Sequence, residues 1–431
     1  MINVFADMKV KPYWWEGAPR IDEVAPELPP EVDVLIVGAG YSGLCTARVL
    51  AKAGHSVVIC EKGFTGYGAS TRNGGMLGPS FHTLGTRGLT AIYGEEHAHR
   101  MLMESVGFVD FVRDLVAENN ISCDFQRTGR FRGAAKPKHY DVMARELEYQ
   151  IKVTGIKGEL VTKEHVRSEI GTDRFCGGIR YEVDAGLHPG KYHDGLVQVV
   201  REAGAIVSPH TEVTNIKSSG TDYRVATSRG SIRAAQVAVC TNGYTGNITP
   251  WLRRRVIPIR SSIIATEELD TEVMQQVMPA RRMYGDSRRV HAYYRPSPDG
   301  RRILFGGRTT SGDEPYRSAK QLRASMLDVF PELEKVQISH SWSGLIAYTF
   351  DHLPHLGQHN GLWFSMGYCG SGVARSSYFG TKLGYKMLGD AENGRTAYDA
   401  LAMRTKPLYT GNPWFMPVIL EYHRLMDRIG F

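Results

Sequence analysis

The sequence predicts an α/β (α+β) fold in which a parallel βαβ layer is left and later re-entered by the chain, with a discontinuous second lobe built on an antiparallel sheet. Three observations carry this reading. Residues 34–62, VLIVGAGYSGLCTARVLAKAGHSVVICEK, run from a buried strand through spaced glycines and a helical pattern to a second strand. Residues 256–310 change to alternating strands such as VIPIRSSIIAT and RRILFGGRT, the pattern of an antiparallel sheet with one covered face. Residues 361–389, GLWFSMGYCGSGVARSSYFGTKLGYKMLG, then return to strand, glycine turn and helix, the construction of the first segment.

Taken in order, residues 1–30 form a polar, aromatic arm ending in PELPP, with YWW at 13–15 set to pack on the body. In GAGYSG, Gly38 permits a tight turn, Gly40 lets backbone approach a pyrophosphate, and Gly43 lets the helix pack close to the sheet. Tyr41 and Ser42 open the helix whose N–H groups face the phosphates. Glu61, followed by Lys62, ends the second strand about 20 residues on, where a carboxylate accepts ribose hydroxyls and disfavours a 2′-phosphate. The segment therefore reads as an adenine-dinucleotide site. KGFTGYGASTRNGGMLGPS is a long glycine-rich loop of the kind that carries function inside a compact domain, here beside the cofactor. Residues 95–119 and 138–152 are helical, with Met-rich and aromatic faces that suit a core. Residues 188–216 read as a helix closed by Gly204 and then short strands, residues 233–243 as a buried strand entering a glycine turn, and the last 40 residues as a covering helix or subunit contact.

At 431 residues and about 150 per domain, two or three lobes are expected. Apolar residues make up 42% and charged residues 23%, ordinary for a globular protein and against disorder. No apolar run could span a bilayer, and the first 20 residues lack the apolar core of a secretory signal, which predicts a cytoplasmic location. Six cysteines without a CxxC pair indicate neither zinc nor a disulfide framework, and His352 and His355 lack a third ligand, so no metal is expected. The net charge of +7 concentrates in residues 251–308, which hold 12 Arg, no Lys and 6 acids. No Lys-rich tract or aromatic-interleaved basic stripe accompanies them, which argues against nucleic acid. A solvated basic face is the plainer reading and a funnel for an anionic substrate the sharper one.

Together GAGYSG with Glu61 and Lys62, GASTRNGG at 68–75, VAVCTNGYTG at 237–246, WSGLIAYTFDHLPHLG at 342–357 and GYCGSGVA at 367–374 resemble the D-amino-acid oxidase superfamily of FAD enzymes. The branch is that of glycine oxidase, sarcosine oxidase and γ-glutamylputrescine oxidase, nearest the last. The resemblance implies a Rossmann-like FAD-binding domain of residues 31–100, 185–250 and 341–390, a substrate domain of 101–184 and 251–340, and a C-terminal tail or helix at 391–431. It implies that Ser70, Thr71 and Arg72 lie beside the pyrophosphate, that Asn73, Gly74 and Gly75 pass the flavin ring, and that Val213 meets adenine. Gly370, Ser371, Gly372 and Val373 match the helix start facing the pyrimidine edge of the flavin. A solvated loop for Ser70 and Arg72, and a plain helix cap at Gly370, are the alternatives.

Departures bear on the substrate. Gly344 stands where sarcosine oxidases carry the cysteine that bonds the flavin, implying noncovalent FAD, and Leu304 stands where they carry a lysine that assists oxygen reduction. Ile346 and Ala374 stand where relatives carry carboxylate-binding Arg and Lys, so a larger primary or secondary amine is expected rather than a simple α-amino acid. The expected chemistry is hydride transfer from the amine carbon to flavin N5, giving an imine and then aldehyde or ketone, with O2 (yielding H2O2) or another acceptor closing the cycle. His291 in its alternating strand, Tyr293, Arg308, Tyr348 and Cys369 are the candidates for the pocket, with packing the plainer role for the tyrosines and a half-buried thiol for Cys369. An amino-acid oxidase or dehydrogenase of the same superfamily, a nicotinamide enzyme and a non-catalytic flavoprotein binding a partner are the competing readings. The sequence leaves oligomeric state open.

Overall fold

The computed structural model describes residues 3–79, 81, 84–309 and 314–429. The strand Glu31–Val37 lies between Val57–Cys60 and Gly230–Val239, parallel to both. Ile206–Ser208 continues the parallel layer beyond Val57–Cys60, and Leu362–Met366 adds to the other side against Gly230–Val239. Val34 to Val37 are buried on both faces, as a parallel strand covered by helices on one side and the Val213–Ser219/Asp222–Thr227 hairpin side on the other requires.

The helix Tyr41–Lys52 packs against Gly372–Met387, so the early and late glycine segments are physical neighbours. Small residues make this crossing close: a Cβ on Gly380 would overlap the Ser42 carbonyl oxygen, and one on Gly384 would sit 2.7 Å from Val49 Cβ. Tyr368 donates to Ser42 Oγ at 2.8 Å across the same seam.

The second sheet orders its strands Ile338–Tyr348, Ile257–Thr266, Ile303–Arg308, Tyr293–Pro296, Met283–Asp286, Arg130–Gly133, Gly178–Tyr181 and Gly158–Val161. All its pairings are antiparallel except Met283–Asp286 with Arg130–Gly133. Two expected boundaries shift. Ile338–Tyr348 hydrogen-bonds along its length to Ile257–Thr266, so residues 341–348 belong to the antiparallel sheet rather than the dinucleotide lobe. Residues 101–118 move the other way: Met101, Leu102, Phe108, Val112 and Leu115, from the helices Glu95–Val106 and Phe108–Glu118, share the core of Val34, Ile36 and Leu44.

The N-terminal arm forms the short helix Trp14–Gly17, and Trp14 is fully buried. The C-terminal helix Met416–Ile429 lies over the cavity mouth, where Met416, Ile419 and His423 contribute to the wall and Val418, Tyr422 and Leu425 remain exposed. Among the described residues no helix is long and apolar enough to cross a membrane.

Candidate active site

One cavity of about 1970 Å³ runs between the two sheets, well above the ~300–1,000 Å³ of an ordinary small-ligand pocket. Both glycine turns open into it. At the first, Gly38 takes φ +102°, a conformation that side chains resist. Gly40 caps the helix Tyr41–Lys52, and a Cβ on Gly43 would overlap the Gly38 carbonyl oxygen, so only glycine lets this helix start against the strand. The Tyr41 N–H donates to Ser70 Oγ at 3.0 Å, which sets Ser70 directly at the helix N-terminus. Ser42 and Tyr41 are buried, Tyr41 through its hydroxyl donating to Pro189 O at 3.0 Å.

Glu61 lines the cavity with its carboxylate fixed by two backbone donors, Ala39 N–H at 3.0 Å and Gly63 N–H at 3.1 Å. Burial raises its pKa above the usual carboxylate value, and those two N–H groups pull the other way. His193, which the motif did not single out, sits with Nε2 2.8 Å from Ala39 O and steadies the same turn. Lys62 points outward to Glu212 at 2.8 Å. Val213 is buried and also lines the cavity.

The loop 68–75 departs from its expected roles. Thr71 is fully buried and turned inward, donating to Gly66 O and accepting from Trp15 Nε1 at 3.0 Å, so its hydroxyl is not on the cavity. The Arg72 guanidinium lies over the rings of Trp15 and Tyr67 and donates to Tyr67 O at 2.7 Å and Ser343 O at 3.2 Å. Of that trio Ser70 and Arg72 line the cavity and Thr71 does not. Asn73 ties the loop internally through Ser70 O and the Gly75 N–H. Trp14 Nε1 donates to Asn73 O at 2.7 Å, and the fully buried Arg295 donates to Gly75 O at 2.8 Å. Burial brings the Arg295 pKa down to about 10, with the Asp124 charge pulling weakly the other way. Gly74 faces the cavity, while Gly75, at φ +65°, faces Leu187 and Arg295.

At the second turn Gly370 takes φ +87° and Ser371 caps the helix Gly372–Met387. A Cβ on Gly372 would meet nothing within 4 Å, so this N-terminus faces open cavity. Val373 is buried beside it. Gly344 lines the cavity with no side chain to form a bond, and a Cβ there would lie 3.3 Å from Arg72 Cβ.

The other end of the cavity is walled by the antiparallel sheet. Arg308 donates to Tyr348 Oη at 2.6 Å and lies over its ring. Burial raises the Tyr348 pKa and the Arg308 charge lowers it. Cys369, at φ +54°, donates Sγ–H to Gly367 O at 3.0 Å, and burial raises its pKa, making it a neutral thiol rather than a nucleophile. His291 precedes the strand Tyr293–Pro296 instead of lying in it. Its ring is exposed to the cavity interior, and enclosure by the protein with the nearby Arg308 brings its pKa down to about 4. Tyr293 pairs its hydroxyl with Ser261 at 2.9 Å and spreads across Gly306, where any side chain would collide with the ring. Ile346 and Ala374 line the wall as apolar groups, whereas Leu304 packs with Trp14, Ile263 and Trp342 outside the lining. His355 is bound to Asp351 at 3.0 Å.

Two helix N-termini, a fixed acid and a side-chain wall around one cavity define a dinucleotide-dependent oxidoreductase site. The family described as FAD dependent oxidoreductase (DAO) matches residues 33–385, and the chain belongs to it. It is 28% identical over 407 residues to gamma-glutamylputrescine oxidoreductase of Escherichia coli (strain K12), covering 92% of this chain and 93% of that one. It is 24% identical over 369 residues to glycine oxidase of Geobacillus kaustophilus, covering 81% and 90%. The crystal structure of that glycine oxidase superposes with a TM-score of 0.72 at 20% identity, over 88% of this chain and 99% of the other, and L-proline dehydrogenase from P. horikoshii gives 0.71 at 20% identity over 90% and 98%. FAD is the family's cofactor, and the donor set here fits it: Glu61 for a ribose, the helix starts at Tyr41 and Gly372 for anionic groups, and open space before Gly372.

Proposed function

We propose that the protein oxidises the C–N bond of a primary or secondary amine larger than a simple α-amino acid, using noncovalently held FAD. The observation that carries this reading is that Arg308, Tyr348, His291 and Cys369 share one cavity with both glycine turns. Bound FAD supplies the two-electron acceptor, and O2 or another acceptor reoxidises it. Gly344 supports noncovalent attachment because it offers no atom for a linkage. Ile346 and Ala374 support a larger amine, since a simple amino-acid carboxylate would lose charge-assisted hydrogen bonds worth roughly 1.5–3 kcal/mol each at those positions.

The side chains then act on the amine's proton and position. An aliphatic ammonium of pKa near ~10.4 must lose a proton before its lone pair can assist oxidation. The positive field of Arg308 disfavours the ammonium and lowers that pKa. His291, neutral above about pH 4, can accept a hydrogen bond from the amine N–H at a ring nitrogen, while the released proton passes to solvent. Tyr348, held by the Arg308 donor, keeps its own proton and orients the nitrogen by hydrogen bonding. The Met416–Ile429 helix narrows the solvent path over this end.

The test is anaerobic mixing of the purified yellow protein with amines and amino acids, followed by air and peroxide measurement. Extended amines are expected to bleach the flavin while glycine, sarcosine and D-alanine do not. Fast bleaching by any of those three contradicts the reading, and a protein that no amine bleaches belongs to the non-catalytic alternative.

A further inference from the structure

One hydrophobic cluster in this protein is a core closed on one side only. Ile257, Ile259, Ile346, Phe350, Phe415 and Met416 pack together with Tyr348, Cys369 and Tyr409, and every member of the cluster lines the cavity. Among the described residues each of the other hydrophobic clusters has members, such as Val34, Phe131 and Trp14, that do not border it. Protein interiors close on all sides at near-crystalline density, so apolar side chains left open along one common face lack the partner that completes them. The polar atoms of the cluster are engaged within the protein. Tyr409 Oη donates to Val256 O at 2.7 Å and Cys369 Sγ to Gly367 O at 3.0 Å, while Tyr348, held by Arg308, stands at the border toward the reacting nitrogen. The face is aromatic: Phe350 meets the Tyr409 ring edge-on at 5.3 Å, and Phe415 lies 5.9 Å from the same ring. Tyr409, Phe415 and Met416 come after residue 385, where the family match ends, and their segment is fastened at both ends. Tyr409 holds one end through Val256, and Asp427 holds the other by accepting from the N–H groups of Arg289 at 2.9 Å and Val290 at 3.0 Å. His423 on the same helix feels the charges of Arg289 and Arg308, which puts this wall over the amine end.

We infer that the amine carries an apolar substituent of aryl size, and that the face formed by Ile346, Phe350, Phe415 and Met416 is its binding site. A polar or charged chain laid there would give up its water for side chains that return no hydrogen bond, whereas an aryl ring would gain edge-to-face and thioether contacts on leaving water. The reacting nitrogen rests on the amine reading, and the apolar group rests on the cluster. Specificity for that group is set by a wall that the family-matching residues 33–385 supply only in part.

The test compares phenylalkylamines, n-alkylamines and ω-hydroxyalkylamines of matched length on the FAD-loaded enzyme. The expected order in kcat/KM is phenyl above alkyl above hydroxyl, with about tenfold or more between the first and the last, carried mainly in KM. Phe415→Ala and Met416→Ala are each expected to shrink that ratio by about threefold or more, and Phe415→Leu to retain more of it than Phe415→Ala. A smaller ratio or another order in the native enzyme, or a ratio untouched by both alanine variants, overturns the inference. Loss of bound flavin in Phe415→Ala would assign that wall to the cofactor and overturn it too. If no series bleaches the flavin, the amine reading fails separately, and binding of phenylbutanol, followed by perturbation of the flavin absorbance, decides the apolar face. Native protein should then bind it about tenfold or more tightly than butanediol, and equal or absent binding sinks the inference. Should the variants not fold, the native comparison of the three series still decides.

Discussion

The two ends of the cavity are made of different material. The dinucleotide end is mostly backbone: Gly38 at φ +102°, Gly40 and Gly43 around the helix start, Gly370 at φ +87° and the bare N-terminus at Gly372. The amine end is mostly side chain, with Arg308, Tyr348 and Tyr293 standing on a sheet whose backbone is ordinary and His291 just ahead of one of its strands. Main-chain donors fix the residue type, because a methyl group in the wrong place has nowhere to go. A sheet face fixes only alternation, and the chemistry on it is free to change with the substrate. An added methyl should therefore be ruinous at one end, and a removed functional group at the other.

The largest effect is expected from Gly43→Ala. Its new Cβ would overlap the Gly38 carbonyl oxygen, and overpacking of this kind costs ~1–3 kcal/mol. FAD affinity should fall by about 10- to 100-fold, read from flavin retained on gel filtration, and an unchanged flavin content would break the comparison. At the other end Arg308→Met should leave flavin bound and lower kcat/KM about tenfold or more. Its rate profile should also shift to higher pH, because removing the cation raises the amine's pKa in the site. Tyr348→Phe should cost less, roughly 1 kcal/mol for a lost hydrogen bond, without moving the profile.

An effect on stability rather than on the site itself concerns the arm that ties the two ends together. His188 stacks edge-on against Trp14 and His340 against Tyr13, and burial brings both down to about pKa 4. The unfolded chain binds these protons from about pH 6.5 downward while the folded protein does not. Their stabilisation is therefore intact above that pH and is lost as pH falls toward 4, by up to ~3 kcal/mol per histidine. Thermal melts between pH 7 and 4 should show this slope, and His188→Gln should flatten it. Release of Trp14 from Asn73 should accompany it in the tryptophan fluorescence.

The same contrast explains what was legible in the sequence. The three glycines before the first helix, Glu61 and the Gly370 turn stand out because geometry permits little else at those places. The inward turn of Thr71 is hidden from local pattern because its partner Trp15 comes from the arm, more than 50 positions away. Residues 341–348 were misplaced because strand membership depends on pairing with Ile257–Thr266, a contact no local pattern reveals. Arg295 and His193 carry no motif; each is defined by the carbonyl oxygens it reaches.

The most direct test is a crystal structure of the flavin-loaded protein with a non-oxidisable amine bound. The account predicts adenine near Val213, ribose on Glu61, the flavin between the Asn73–Gly74 turn and the Gly370 turn, and the amine nitrogen within hydrogen-bonding distance of Tyr348 or His291. A flavin ring seated away from the Gly370 turn, or an amine bound outside the wall formed by Arg308 and Tyr348, would contradict it.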